Sequence, residues 1–381
     1  MNASAARRAV GIAAAVPLLL ALVSCATDPD TSTSGGAVTV DASDDACELS
    51  ATELDAGPHT FKVTNNGSKV TEFYVYAEGD RIMGEVENVG PGLSRNLVVD
   101  LSAGKYQGAC KPGMTGDGIR QDVTVTGKSD KELSDSEELK AAADSYERYV
   151  RSQTGALVDK TADFVAAVKA GETAKAKKLY PVARTYWERI EPVAEIFGNL
   201  DPLIDQREPD VEPGKDFTGF HRIEKQLWVE GNTNGMDHYA DQLLANVKKI
   251  VKRSGERPLT ALELAQGSKA LLDEVATGKI TGEEDEFSHT DLWDFKANIE
   301  GSKAAIASLR PVLKESDPAL VKTLDKRFAA VDAELGQHQK PDGTWTYYDE
   351  LDKHQVKELS NAVAALSEPI SKVAAAVARS A

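Results

Sequence analysis

The chain has 381 residues, enough for two or three domains. It carries 61 acidic against 44 basic residues, a formal net charge of -17, which argues against nucleic acid as a partner because phosphate binding needs a basic surface. With 41% hydrophobic and 28% charged residues the composition is that of an ordinary globular protein, and the acid excess suits either solubility or cationic ligands.

Arg7 and Arg8 precede an apolar stretch, Ala9 to Val23, of about 15 residues, short for a membrane span. The stretch ends in Leu22-Val-Ser-Cys25, with small residues before the cysteine and a polar segment after it. This resembles a lipoprotein signal in which Cys25 is lipidated; an ordinary cleaved signal peptide is the other reading. Residues 1–24 are thus expected to be a signal and 25–36, ending in Thr31-Ser-Thr-Ser-Gly-Gly36, a flexible tether. The mature chain would then be extracytoplasmic, lipid-anchored to the cell membrane or periplasmic. Outside the cytoplasm the remaining pair, Cys47 and Cys110, usually forms a disulfide; metal ligation and free thiols are the alternatives.

From residue 37 to 127 the pattern is that of short strands. Val38–Val40, His59–Val63, Glu72–Tyr76, Leu97–Leu101, Tyr106–Cys110 and Gln121–Val125 alternate apolar and polar, with turns such as Asn65-Asn-Gly67 between them. A β-sandwich is expected. The order of features resembles a cupredoxin, with Glu72 where blue-copper members carry His, and with Cys110 followed by Met114 but no His between. Lacking two imidazoles, a blue-copper centre is not expected. Glu72, Cys110 and Met114, with Cys47 and Asp117 near, remain as either an accessory metal site or a disulfide in a filled core.

Residues 128–134 form a charged connector, and Ser134-Asp-Ser-Glu137 has the spacing of a capping box. From 135 to 381 the periodicity is helical, with segments near 135–152, 154–170, 173–198, 217–230, 236–253, 259–279, 290–308, 317–336 and 355–378. No repeat of 30 to 50 residues recurs, so an antiparallel bundle is preferred to a solenoid.

Two stretches carry candidate chemistry. In Phe217–Trp228, His221 and Glu224 share one helix face, where an imidazole and a carboxylate can grip one ion or simply pair with each other. In 173–198, Glu188, Glu191 and Glu195 fall at i, i+3 and i+7, one turn after Arg184. Such a stripe is either a solvated face or one relieved by a cation or an arginine. Asp205 follows in a Pro-started turn, so acids from two successive elements can converge on His221. Oxygen donors with one imidazole suit iron, manganese or zinc. No HExxH occurs, and Lys225 blocks HxxEH.

The runs Ala183–Asp205, Phe217–Lys225 and Ser288–Gly301 resemble the EfeO/EfeM iron-uptake family, in which an imelysin-like helical domain, also classed as peptidase M75, follows a cupredoxin-like one. The resemblance spans roughly residues 37 to 381. It implies an N-terminal cupredoxin-like sandwich and an all-α imelysin-like bundle. It also implies an extracytoplasmic protein that binds iron and passes it to an EfeU-type permease beside a DyP-type haem peroxidase, EfeB. The ligands implied are His221 and Glu224, then Glu191 and Asp205, then Glu188 and Glu195, with Glu284 weaker; Cys47, Glu72, Cys110 and Met114 correspond to an accessory copper or iron site. A zinc metallopeptidase is the rival, although no separate general base or oxyanion device is legible.

Overall fold

The structure, a computed structural model, describes residues 37–78, 81–127, 136–211, 214–256 and 258–380. Cys25, the signal and tether, and Ser134 lie outside the described residues.

The first domain is a sandwich of two sheets. Its strands are β1 (Val38–Ala42), β2 (Cys47–Leu49), β3 (Glu53–Asp55), β4 (Gly57–Asn65), β5 (Thr71–Ala77), β6 (Arg81–Val89), β7 (Ser94–Leu101), β8 (Gly104–Pro112) and β9 (Ile119–Thr126). One sheet has the order β2-β1-β4-β7 and the other β3-β9-β8-β5-β6. Inward-pointing Val40, Phe61, Val63, Phe73, Val99 and Val123 fill the space between them, as the two-residue period requires. Sequence reading misses β2, β3 and β6. The first two are three residues long, and β6 contains Gly84 and pairs with β5 through register shifts that blur its alternation.

The same period decides the fate of the accessory-site residues. On the β5–β8 pair, Glu72 lies opposite Lys111 while Phe73 lies opposite Cys110. Glu72 and Cys110 therefore point to opposite faces of one sheet and cannot share an ion. Cys110 is instead bonded to Cys47 within the core, where the disulfide ties β8 to β2 across the two sheets. The expected disulfide is present, and the alternative of metal ligation by the two cysteines is corrected. Glu72 accepts a hydrogen bond from the Tyr74 hydroxyl at 3.1 Å, and Met114, at φ 58°, lies exposed in the β8–β9 loop.

The second domain is helical: α1 (Glu137–Lys169), α2 (Thr173–Glu188), α3 (Asp201–Asp205), α4 (Gly219–Trp228), α5 (Asp237–Arg253), α6 (Ala261–Thr277), α7 (Asp291–Ser316), α8 (Pro318–Gly336), α9 (Lys353–Ile370) and α10 (Val373–Ala378). The two segments expected before residue 170 are one helix. It starts at Ser136, whose hydroxyl caps Leu139 N, two residues later than the expected cap. The segment expected to reach residue 198 stops at Glu188. Pro192 has no N–H to give and its ring would meet the carbonyl of Glu188, so the chain tightens into a 3-10 segment, Glu191–Leu200.

Helix α6 joins the domains. Gln266 Nε2 donates to Val98 O of β7, and Arg95 pairs with Asp273 at 2.5 Å. Beside this contact lies a cleft of about 870 Å³. Glu72, Glu85, Glu87 and Asp117 line its sandwich side, and Glu191, Asp205, Glu274, Glu283 and Glu284 its bundle side. Among the described residues no helix is long and apolar enough to cross a membrane.

Candidate metal centre

Behind the bundle wall of the cleft is a buried polar cluster. Tyr180, Arg184 and Glu188 fall at i, i+4 and i+8 on α2 and all face inward with no exposure. The 3-10 segment brings Glu191, the end of α3 brings Asp205, and α4 brings His221 and Glu224. A 3-10 turn, Lys279–Thr281, and the loop after it bring Lys279, Glu284 and Asp285. The first two turns of α7 add Asp291, Asp294 and Asn298.

Two glycines set these segments. Gly219 has φ +81°, and a Cβ there would lie 2.2 Å from Ile204 O, so only glycine lets α4 start against the end of α3 and carry His221 to Asp205. Gly282 has φ +78° and sits under the Tyr348 ring, which a Cβ would meet at 2.3 Å. The Tyr348 hydroxyl donates to Ile280 O, so the Trp345–Tyr348 loop braces the turn that delivers Glu284.

His221 is 2% exposed. Its Nδ1 lies 2.8 Å from Glu224 Oε2 and 3.2 Å from the Tyr180 hydroxyl. The other oxygen of Glu224 accepts the backbone N–H groups of Phe287 and Ser288. Glu224 is thereby committed to orienting the ring and does not face the same point as Nε2. That nitrogen has no hydrogen-bond partner among the described residues. It faces Asp205 Oδ1 at 3.5 Å and Glu284 Oε1 at 3.8 Å. Two ligands each about 2 Å from a common ion lie roughly 3–3.5 Å apart, so these three atoms fit around a cation with small adjustment. Among the described residues, Asp205, His221 and Glu284 form one of two groups of acidic and imidazole side chains whose ligand atoms all lie within 4.8 Å of one another; His221, Glu224 and Asp285 form the other. The second has its nitrogen and its Glu224 oxygens already occupied.

The expected acidic stripe is divided. Lys279 Nζ, 1% exposed, binds Glu188 Oε2 at 2.9 Å and both Glu191 oxygens at 2.7 and 2.9 Å. Asn298 Nδ2 donates to the same pair of carboxylates. Glu188 and Glu191 therefore face an internal ammonium rather than His221, a correction to their place in the ligand set. The side chain of Glu195 lies outside the described residues. Arg184 binds Glu188, Asp205, Glu284, Asp285 and Asp294. Lys279, Asp285, Asp291 and Asp294 are cluster members that sequence reading missed. Thr290 stands at the N-cap position of α7, but its hydroxyl bonds Asp285 and Ser288 and not a backbone N–H of the helix.

The electrostatics follow from eight carboxyl groups (Glu188, Glu191, Asp205, Glu224, Glu284, Asp285, Asp291, Asp294) around two permanent cations, Arg184 and Lys279. Burial pushes the carboxyls of Glu191, Asp291 and Asp294 well above the usual range, and that of Asp285 up to about 6 against the pull of Arg184. For Glu284, burial is outweighed by Lys279, His221 and Arg184, which hold it well below that range. Burial and the Arg184 charge depress His221, but Glu224, Glu284 and Asp205 overcome both and raise the imidazole to about 10. The cluster is built to hold positive charge.

The imelysin (peptidase M75) family model matches residues 142–373, and a cupredoxin-like domain model matches residues 12–125. The chain is similar to the iron uptake system component EfeO of Escherichia coli O157:H7, at 38% identity over 342 residues, 88% of this chain and 90% of that protein. The proteins of the same name from Escherichia coli strain K12 and Shigella flexneri are 37% identical over the same shares of each chain.

Proposed function

The chain belongs to the imelysin family, with a cupredoxin-like domain ahead of the helical one, and from that premise we propose that it is an iron-binding component of an iron uptake system. The ion would sit at His221 Nε2 with Asp205 and Glu284. One observation carries this: a buried imidazole nitrogen without a hydrogen-bond partner faces two carboxylates across an ion-sized gap. Leaving such an atom unpaired costs about 1–3 kcal/mol, which a ligand recovers. Arg184 already binds both carboxylates, so an entering ion shares them with the guanidinium. The acidic cleft leads to Asp205 and Glu284 from solvent and would raise the local cation concentration. Hard oxygen donors with one nitrogen favour iron; zinc and copper are the competitors.

The extracytoplasmic, lipid-anchored placement rests on the Leu22–Cys25 pattern, and release to an EfeU-type permease with an EfeB-type peroxidase rests on the relatives' being named as one component of an iron uptake system. The peptidase reading has the family label behind it, while the relatives described above are named for iron uptake. The deciding experiment is iron content after equilibrium dialysis. One ion per chain is expected in the wild type and none in His221→Ala or in Asp205→Asn/Glu284→Gln. Equal iron in all three would overturn the assignment.

A further inference from the structure

The buried cluster has a second cation position beside the His221 pocket, and a side chain of the protein fills it. We propose that Lys279 is a tethered stand-in for a second metal ion, so that the cluster takes one ion at the His221 end instead of two. The proposal rests on the reading of His221 as a ligand.

Lys279 Nζ has the surroundings a metal would have. Four contacts under 4 Å come from carboxylate oxygens of three residues: Glu188 Oε2 at 2.9 Å, Glu191 Oε1 and Oε2 at 2.7 and 2.9 Å, and Glu284 Oε1 at 3.6 Å. Glu284 Oε1 is also the oxygen that lies 3.8 Å from His221 Nε2. One carboxylate oxygen thus stands between the two positions, as a bridging carboxylate does in two-metal sites with ions about 3.5–4 Å apart. Asn298 Nδ2 donates to Glu188 and Glu191 at 2.9 and 2.6 Å and fixes their orientation without adding charge.

The local chain accounts for the pairing. The turn Lys279–Thr281 follows α6, and Gly282 reverses the backbone so that Glu284 returns toward the same interior. A single short segment supplies both the ammonium and the shared carboxylate. An ammonium does not exchange with solvent cations, and it carries one charge where a divalent ion would carry two. Removing it leaves the buried Glu188 with Arg184 and Asn298, and the half-buried Glu191 with Asn298, and carboxylates so poorly countered recruit a counter-ion or a proton.

The test replaces Lys279 by methionine, similar in length and uncharged, and counts Mn²⁺ per chain by equilibrium dialysis, with electron paramagnetic resonance as the second readout. The wild type is expected to bind one Mn²⁺ with the spectrum of an isolated ion. Lys279→Met should bind two, with a spin-coupled spectrum because the ions share Glu284, and Lys279→Arg should bind one. A folded Lys279→Met that binds one Mn²⁺ with wild-type affinity overturns the proposal. If the variant is unfolded without metal, Mn²⁺ is expected to refold it; failure of that rescue also overturns the proposal, since a cation at this position should replace the ammonium. Iron content that is unchanged in His221→Ala sinks the His221 reading instead, so the two failures are distinguishable.

Discussion

His221 and Glu224 lie one turn apart on α4 and are bonded to each other, Nδ1 to Oε2 at 2.8 Å, rather than turned toward a common point. The His-x-x-Glu pair therefore works as a ring and its orienter. With Nδ1 held by the carboxylate, Nε2 is the nitrogen turned toward Asp205 and Glu284, and it offers its lone pair once an entering ion displaces its proton.

A different outcome is expected for each half of the pair. Glu224→Gln keeps the shape but weakens the hold on the imidazole, and iron affinity should fall by about 10–100-fold with one ion still bound. His221→Ala should remove the ion. Titration calorimetry under anaerobic conditions gives both numbers. Loss of the ion in Glu224→Gln would make Glu224 a ligand after all.

Much of this was open to sequence reading, and the boundary is physical. The 2-residue and helical periods mark the sandwich and the bundle, and i, i+3 spacing puts His221 beside Glu224, because these are local properties of one element. Asp205 was within reach because a short Pro-started turn leads to it. Lys279, Asp285, Asp291 and Asp294 were not. Lys279-Ile-Thr-Gly-Glu-Glu-Asp-Glu286 reads as a solvated charged loop, and only closure against α2 and α7 buries it. One signal was present: Tyr180, Arg184 and Glu188 on a single inward line of α2, an arginine placed among acids before any fold is known.

Acidity should oppose iron binding. The imidazole's value rises on folding from 6.5 to about 10, so without metal the stabilisation from its charge is full below pH 6.5 and is lost as pH rises through 10. Metal binding runs the other way, because Nε2 must give up its proton. At pH 7.5 about one proton should be released per ion bound. Calorimetry in buffers of differing ionisation enthalpy measures this, and release of none would mean that the ring does not coordinate.

The domain contact gives a separate pH window. Asp273 meets Lys269, Arg95 and the hydroxyl of Ser367. Burial raises its carboxyl, but Lys269, Ser367 and Arg95 outweigh that and leave it lowered. Its contribution is therefore present above the unfolded value of about 3.9 and is lost as pH falls through the lower folded one. Arg95→Ala should cost about 1 kcal/mol at pH 7, less in high salt, because the pair is partly exposed. The deficit should vanish once Asp273 is protonated. Scanning calorimetry of the variant from pH 7 downward checks it: the deficit should shrink as pH falls below about 3.9, and a deficit that stays constant to the acid limit of folding would point to lost packing instead.

Gly219→Ala tests whether the α3–α4 approach makes the site. The substitution combines a left-handed φ, a strain of about 1–3 kcal/mol, with a Cβ driven into Ile204 O. The helices must separate, and His221 moves off Asp205. Iron binding should be lost while circular dichroism still reports a helical protein. Gly171→Ala is the control. It has a similar φ of +73° but nothing within 4 Å of its Cβ, so it should lose stability and keep the ion. Equal loss of iron in both variants would trace the effect to general destabilisation.

Removing the disulfide separates the sandwich cysteines from the metal question. Cys47 and Cys110 are 63 residues apart in the chain and both lie in the sandwich core. Cys47→Ser/Cys110→Ser should destabilise that domain by about 2–4 kcal/mol. The helical domain and its iron content should be unchanged, because the ion's ligands come from α3, α4 and the loop before α7. Urea unfolding followed beside iron content reads both quantities on one sample. Loss of an ion on removing these sulfurs, with the helical domain still folded, would restore the cysteines as ligands.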